Sequence, residues 1–180
     1  MKRTDLEKLS PLVCACTGPR PSNFPWNYGG VNYGAYRREL KDKMAELILS
    51  GVSCFISGMA MGVDMDIAET VLELKDDFDV SLMCAIPFPD QEKRFPYTGK
   101  MKYERILAAA DKIVVVSDRY TPQCYFTRNR YMVDSSDMLF ALWNGEQSGG
   151  TAYTIKYAMS RNKRIEMLDL RYIQNAETDF

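Results

Sequence analysis

Six short apolar segments, separated by longer segments of helical periodicity, constrain the fold of this chain more than any other feature. Their apolar residues are continuous rather than alternating with polar ones, as expected for strands that are buried on both faces. Regular alternation of strand and helix predicts an α/β fold, namely a three-layer, Rossmann-like, doubly wound and mainly parallel sheet of about six strands. The segments are Leu12 to Thr17, Val52 to Ile56, Val80 to Ile86, Lys112 to Ser117, Met138 to Trp143 and Arg164 to Leu170.

The intervening segments carry apolar residues three and four positions apart, which is typical of helices with one buried face. After the first strand, Tyr36, Leu40 and Met44 fall on one such face, and Gly51 ends the run. The stretch from Phe88 to about Gly99 is rich in proline and charge and is expected to form a long loop. The other expected helices cover Val63 to Leu74, Tyr103 to Ala110, Pro122 to Asp134 and Gly149 to Met159.

Length and charge narrow the classes of function. A chain of 180 residues is expected to form one domain, residues 1–180. The formal net charge is -1, from 23 basic and 24 acidic residues, so the broad basic field of many nucleic-acid-binding proteins is missing. Histidine is absent. The most common general base and zinc ligand is therefore missing, and no metal site is expected.

The sequence also predicts a cytoplasmic protein without a membrane span. Residues Met1 to Ser10 are polar and charged rather than apolar, so no secretory signal is expected. No apolar run approaches the length of a transmembrane helix. The five cysteines are an odd number, which favours reduced thiols in the cytosol.

The loop after the first strand is a candidate phosphate-binding element. Thr17 and Gly18 follow the strand directly, and Gly18 allows a tight turn with close approach of the backbone to a ligand. Arg20 lies between two prolines that restrict its backbone, which suits a guanidinium held ready for phosphate. The alternative is an exposed arginine that forms only a surface ion pair.

The loop after the second strand is a second candidate. It begins with Ser57 and Gly58, and Gly62 precedes a predicted helix, so free backbone N–H groups could bind an anion at the helix N-terminus. Asp64 falls in the first turn of that helix. Its carboxylate could hold the loop, bind a ribose hydroxyl or help hold a metal, although simple helix capping is an equal alternative.

Two further segments complete the predicted site. After the fifth strand, Ser148, Gly149, Gly150 and Thr151 form another glycine-rich turn into a helix. After the fourth strand, Arg128 and Asn129 belong to a helix in which Arg128 and Arg130 cannot both point the same way. One of these arginines should therefore face the ligand. The two glycine-rich turns, after the second and the fifth strand, together indicate a phosphate-binding site.

In combination these motifs resemble the YpsA-like family of the SMF/DprA–LOG (SLOG) superfamily, over about Thr17 to Ala158. The resemblance implies a Rossmann-like fold and a nucleotide or ADP-ribose-like ligand. The stretches that carry it are Thr17-Gly18-Pro19-Arg20-Pro21, Ser57-Gly58-Met59-Ala60-Met61-Gly62-Val63-Asp64 and Ser148-Gly149-Gly150-Thr151.

Two other branches of the superfamily suggest alternatives. The DNA-processing branch has a loop of the form SGxARGIDxxAH, in which Met61 replaces the arginine here. That likeness implies single-stranded DNA binding, but the replacement removes one phosphate contact. The phosphoribohydrolase branch has a PGGxGTxxE motif, whose glutamate is missing after Gly149 and Gly150. A hydrolase would then need Asp64 or Glu69 in its place.

The favoured hypothesis is a binding or sensing module for a nucleotide-type small molecule. The alternatives are a hydrolase that cleaves an N-glycosidic or phosphate-ester bond and a binder of single-stranded nucleic acid. Apolar residues on the outer helices would be compatible with a homo-oligomer. The sequence does not identify the base or the sugar of the ligand, and it does not show whether a reaction is catalysed.

Overall fold

Within residues 10–174, the part of the chain that the computed structural model describes, six β-strands and five α-helices alternate. The strands are β1 (Leu12–Thr17), β2 (Val52–Ser57), β3 (Ser81–Ile86), β4 (Lys112–Val115), β5 (Met138–Trp143) and β6 (Arg164–Asp169). The helices are α1 (Tyr33–Leu49), α2 (Val63–Leu74), α3 (Tyr97–Ala109), α4 (Cys124–Asp134) and α5 (Gly149–Ser160).

The strands form one fully parallel sheet in the order β4-β3-β2-β1-β5-β6. The chain moves outward from β1 to β4 on one side and then returns to pair β5 with the other edge of β1. The strand order therefore reverses between β1 and β5. In open parallel sheets, a crevice forms beyond the carboxyl ends of the strands at such a switch point.

Successive residues of the central strands face different helix layers. Cys14 and Cys16 contribute to a large apolar cluster with α1, α2 and α3, whereas Ala15 belongs to a smaller cluster with α4 and α5. This division explains the continuous apolar strands, because both faces of the sheet are covered. It confirms the predicted three-layer α/β fold and the placement of Cys14 and Cys16 on one side.

Several element boundaries differ from those predicted. Helix α3 begins at Tyr97, inside the segment expected to be a loop. Its first two residues, Tyr97 and Thr98, are exposed, so the apolar periodicity that starts at Tyr103 does not reveal the start of the helix. Strand β6 ends at Asp169, whose side chain accepts a hydrogen bond from the Arg171 N–H. This contact caps the short 3-10 helix that follows the strand.

Residues 1–9 and 175–180 lie outside the described part of the chain, as does most of the polar N-terminal stretch considered above. The expectation of one domain over residues 1–180 therefore stays a prediction. Among the described helices, none combines the length and apolar character needed to cross a bilayer.

Candidate ligand-binding site

A cavity open to solvent lies at the switch point, between the loops that follow β1, β2 and β5. All of the predicted ligand-binding residues line it except Ser57, Gly58 and Gly62. Helix α4 forms a further wall. The lining residues are Cys16, Thr17, Gly18, Pro19, Arg20, Asn23, Ala60, Asp64, Tyr125, Arg128, Asn129, Asn144, Glu146, Ser148, Gly149, Gly150 and Thr151.

Arg128 is a nearly buried cation in this wall, with 4% of its surface exposed. Its Nε donates to Asn129 Oδ1 at 2.7 Å, and its Nη1 donates to the carbonyl of Gly58. Nη2 forms no hydrogen bond with the described residues. Burial lowers the pKa of the Arg128 guanidinium, while the charge of Asp64 opposes that shift. An anion in the cavity would stabilise this desolvated charge. Arg130, by contrast, is exposed, as the sequence predicted for one of the two arginines.

Asp64 is the buried carboxylate opposite Arg128. Its Oδ2 accepts a hydrogen bond from Ala60 N at 3.2 Å, so the side chain holds the loop in front of its own helix. Burial raises the pKa of the Asp64 carboxyl, and Arg128, the Ala60 N–H and Arg20 oppose that shift. Asp64 therefore holds the loop through a backbone N–H, which is one of the roles predicted for it, and its contact with a ligand stays a prediction.

Arg20 provides a second cation at the mouth of the cavity. The residue is exposed, and its guanidinium carbon lies 5.3 Å from the ring centroid of Tyr125. Cation–π stacking on an aromatic ring orients a guanidinium while leaving its N–H groups free. No described residue accepts a hydrogen bond from Arg20. The surface ion pair considered as the alternative is absent among residues 10–174.

The glycine-rich turn after β5 is the floor of the cavity. Helix α5 begins at Gly149, so the N–H groups of its first turn lack helical acceptors. Thr154 Oγ1 donates to the Gly150 carbonyl at 2.8 Å and accepts from Asn129 Nδ2 at 2.9 Å. Arg128, Asn129, Thr154 and the Gly150 turn are thus linked in one hydrogen-bonded chain.

The glycine-rich loop after β2 uses part of its hydrogen-bonding capacity internally, and its predicted role in anion binding stays a prediction. Three of its N–H groups already have partners: Met59 N donates to Ser57 Oγ, Ala60 N to Asp64 and Val63 N to the Pro19 carbonyl. The Ser57 hydroxyl donates to the Asp64 carbonyl at 2.7 Å. These contacts hold the loop against the segment after β1 and against α2.

Glycine is required in the loops after β1 and β2, because these two loops pack closely against each other. A Cβ at Gly62 would lie 2.7 Å from the Pro19 carbonyl oxygen, and its φ of 93° is in the left-handed region. A Cβ at Gly18 would lie 2.5 Å from Val63 Cγ1. These glycines allow the loops after β1 and β2 to touch, and they position Arg20 and Asp64.

Seven lining residues were not among the predicted ligand-binding residues: Cys16, Pro19, Asn23, Ala60, Tyr125, Asn144 and Glu146. Asn144 and Glu146 directly precede the glycine-rich turn, so their position after β5 was an available signal. Asn144 Nδ2 donates to the Asn23 carbonyl at 2.8 Å and so joins the loops after β1 and β5. Tyr125 is four residues before Asn129 on α4, and no motif indicated its direction.

A second polar cluster, not predicted, surrounds the fully buried Asp66. Its carboxylate accepts hydrogen bonds from the hydroxyls of Tyr28, Tyr33 and Tyr36, at 2.9 to 3.1 Å. Lys102 Nζ lies 2.9 Å from it. This cluster ties the long loop after β1 and helix α1 to helices α2 and α3, and we call it the Asp66 latch.

No group of three or more Cys, Asp or Glu side chains within the described range is arranged to hold a metal ion. All five cysteines are free thiols. Burial, followed by the charge of Asp111, raises the pKa of the Cys84 thiol to about 12.

Comparison with known proteins agrees with the motif-based resemblance. The model of the YspA SLOG family (YpsA) matches residues 23–177. The chain belongs to this family. A UPF0398 protein of Bacillus pumilus (strain SAFR-032) is 32% identical over 178 residues, covering 93% of this chain and 95% of its own length. The UPF0398 protein BH1768 of Halalkalibacterium halodurans is 29% identical over 153 residues, covering 83% and 79%.

A solved structure shares the fold. DNA processing protein A from Helicobacter pylori, described for its single-stranded DNA binding mode, aligns with a TM-score of 0.59 and 19% identity. The alignment covers 96% of this chain and 71% of that protein. At this identity the likeness establishes a common Rossmann-like fold.

Proposed function

We propose that this family member binds a nucleotide or nucleotide-derived phosphate ligand in the switch-point cavity, as a binding or sensing module. One observation carries the proposal: Arg20, Arg128 and the open N–H groups of the first α5 turn converge on the same cavity. Two guanidinium groups and a helix N-terminus favour a multiply charged anion such as phosphate. Asn23, Asn129 and Asn144 supply neutral polar groups around it.

The proposal is tested by calorimetric titration with AMP, ADP and ADP-ribose, after a thermal-shift screen. Arg20→Ala is expected to weaken binding about tenfold or more, because a hydrogen bond to a charged group contributes about 1.5–3 kcal/mol. Arg130→Ala is the matched control. It removes the same charge from an exposed position that does not line the cavity. Failure of every nucleotide to bind at millimolar concentration would refute the proposal.

Single-stranded DNA is the second candidate ligand. The shared fold with DNA processing protein A supports it, as does the exposed pairing of Arg20 with Tyr125, since a cation beside an aromatic ring suits a phosphate and a stacked base. DNA binding would weaken steeply with salt and would depend on Arg130 as well as Arg20. Oligonucleotide titrations at two salt concentrations, with the same two variants, separate it from the first candidate.

Turnover is measured in the same titrations. Chromatography of the recovered ligand is expected to return it unchanged, because α5 lacks the glutamate that the phosphoribohydrolase motif carries after its glycines. Release of free base or phosphate would assign a hydrolase instead.

We also propose a cytoplasmic location, which the five unpaired thiols support. The homo-oligomer stays a prediction, for which light scattering is the direct measurement.

A further inference from the structure

Glu146 is an exposed acidic residue that lines a cavity whose other features favour anions. It lines the cavity together with Arg20, Arg128 and the first turn of α5. A negative charge beside a bound phosphate is unfavourable unless it has another partner. None of the described residues forms an ion pair or hydrogen bond with the Glu146 carboxylate.

The backbone around Glu146 is held in place by several contacts. Trp143 Nε1 donates to the Glu146 carbonyl at 3.0 Å, and Glu146 N donates to Asn144 Oδ1 at 3.1 Å. The Arg171 guanidinium carbon lies 4.7 Å from the centroid of the Trp143 ring. Glu146 therefore belongs to an ordered turn. Less conformational entropy of the backbone is lost when its carboxylate binds a partner.

The position of Glu146 relative to the phosphate-binding turn suggests that partner. Gly149 follows three residues later, so the two Cα atoms are at most about 10 Å apart. In a 5′-nucleotide, the sugar hydroxyls are the nearest hydrogen-bond donors to the phosphate. An ionised carboxylate accepts only, and its two oxygens can take hydrogen bonds from two adjacent hydroxyls.

We propose that Glu146 recognises the 2′- and 3′-hydroxyls of a ribose, so that the ligand class is a ribonucleotide rather than a 2′-deoxyribonucleotide. This inference rests on the proposed nucleotide binding at the same cavity. The phosphate lies against the first turn of α5, and the ribose extends toward Glu146. Specificity arises because a 2′-deoxy sugar leaves the carboxylate without one of its donors.

The test is calorimetric titration of the wild-type protein and Glu146→Gln with AMP and 2′-deoxy-AMP. The wild type is expected to bind AMP about 10-fold to 100-fold more tightly, as for loss of a hydrogen bond to a charged group. Glu146→Gln should remove most of this preference by weakening AMP alone. The control Glu39→Gln removes the same charge at an exposed position of α1 that does not line the cavity, and it should change neither affinity.

Three outcomes would overturn the inference. Equal binding of AMP and 2′-deoxy-AMP by the wild type would refute ribose recognition while leaving phosphate binding intact. A similar gain in both affinities on Glu146→Gln would mean that the carboxylate only repels phosphate. Absence of binding by both AMP and 2′-deoxy-AMP would overturn the inference, and the proposed function would fall with it only if ADP and ADP-ribose also did not bind.

Discussion

Gly58 and Gly150 both belong to glycine-rich turns, yet a side chain would act differently at the two positions. A Cβ at Gly58 would collide with the Arg128 guanidinium and lie 2.8 Å from Asp64 Oδ2. A Cβ at Gly150 would meet no atom within 4 Å. Gly58 is thus a packing requirement, whereas Gly150 leaves room for a ligand to approach the backbone.

Gly58→Ala is expected to lower both stability and ligand affinity, since it displaces a buried cation and disturbs the Asp64 contact. The loss should be about 1–3 kcal/mol, or a fall in Tm of roughly 3–10 °C for a chain of this size. Gly150→Ala should leave Tm nearly unchanged and weaken AMP binding alone. Calorimetric unfolding and titration of both variants measure this. A normal Tm for Gly58→Ala would contradict the packing shown by the structure.

Arg128 tests whether charge alone is sufficient at this position. Lysine keeps the positive charge but cannot donate to both Asn129 Oδ1 and the Gly58 carbonyl in the fixed planar geometry of arginine. Arg128→Lys is therefore expected to destabilise the protein by about 1–3 kcal/mol in urea unfolding. Arg130→Lys, on the exposed side of the same helix, is the control and should be neutral.

At the scale of elements, the Asp66 latch connects the loop after β1 to the helix layer. Burial, followed by the charge of Asp66, raises the pKa of the Tyr28 and Tyr36 hydroxyls, so both stay protonated and donate. The loop that they fasten also carries Arg20. The latch is thus expected to position a ligand-binding cation from outside the cavity.

Tyr28→Phe keeps the ring and removes one hydroxyl from the latch. The expected loss of stability is about 1–3 kcal/mol, because the hydroxyl donates to a buried carboxylate. Affinity for AMP should also fall, because the loop that holds Arg20 becomes less ordered. Tyr172→Phe, at an exposed tyrosine, is the control. If Tyr28→Phe lost stability but kept full affinity, the latch would stabilise the fold without positioning Arg20.

At the scale of the whole molecule, ion pairs between α1, α2 and α3 predict sensitivity to acid. Burial tends to raise the pKa of Glu69, but Lys102, Arg37 and Arg105 lower it below its ordinary value of 4.5. Glu69 therefore stabilises the fold at pH values above about 4.5, and this contribution is lost as pH falls through the lowered folded-state pKa.

Urea unfolding of the wild type and Glu69→Gln at pH 7 and at pH 3 measures this contribution. The variant is expected to be less stable at pH 7, and the difference should shrink at pH 3, where the wild-type glutamate is increasingly protonated. Glu39→Gln, on the exposed side of α1, should match the wild type at both pH values. A difference that is equal at pH 7 and pH 3 would contradict the linkage.

The local pattern of apolar residues in the sequence determined the fold of this protein and the edge of the sheet where its candidate site lies. Continuous apolar strands alternating with helical periodicity require a covered parallel sheet, and parallel strands bring their carboxyl ends to one edge. Their positions after the strands therefore predict that four features lie close together at this edge: Arg20, Asp64, Arg128 and the turn at Gly149. The family followed from the same loops.

Only the tertiary structure decided which groups within those loops face the cavity. Three N–H groups of the loop after β2 are used internally, and Gly58 and Gly62 allow close contacts with residues far away in sequence. The sequence pattern does not distinguish Asp66 from other acidic residues of an amphipathic helix, yet it is fully buried and accepts hydrogen bonds from tyrosines of α1 and of the loop before it. Side-chain direction and long-range partners depend on how elements pack, and no short-range pattern encodes them.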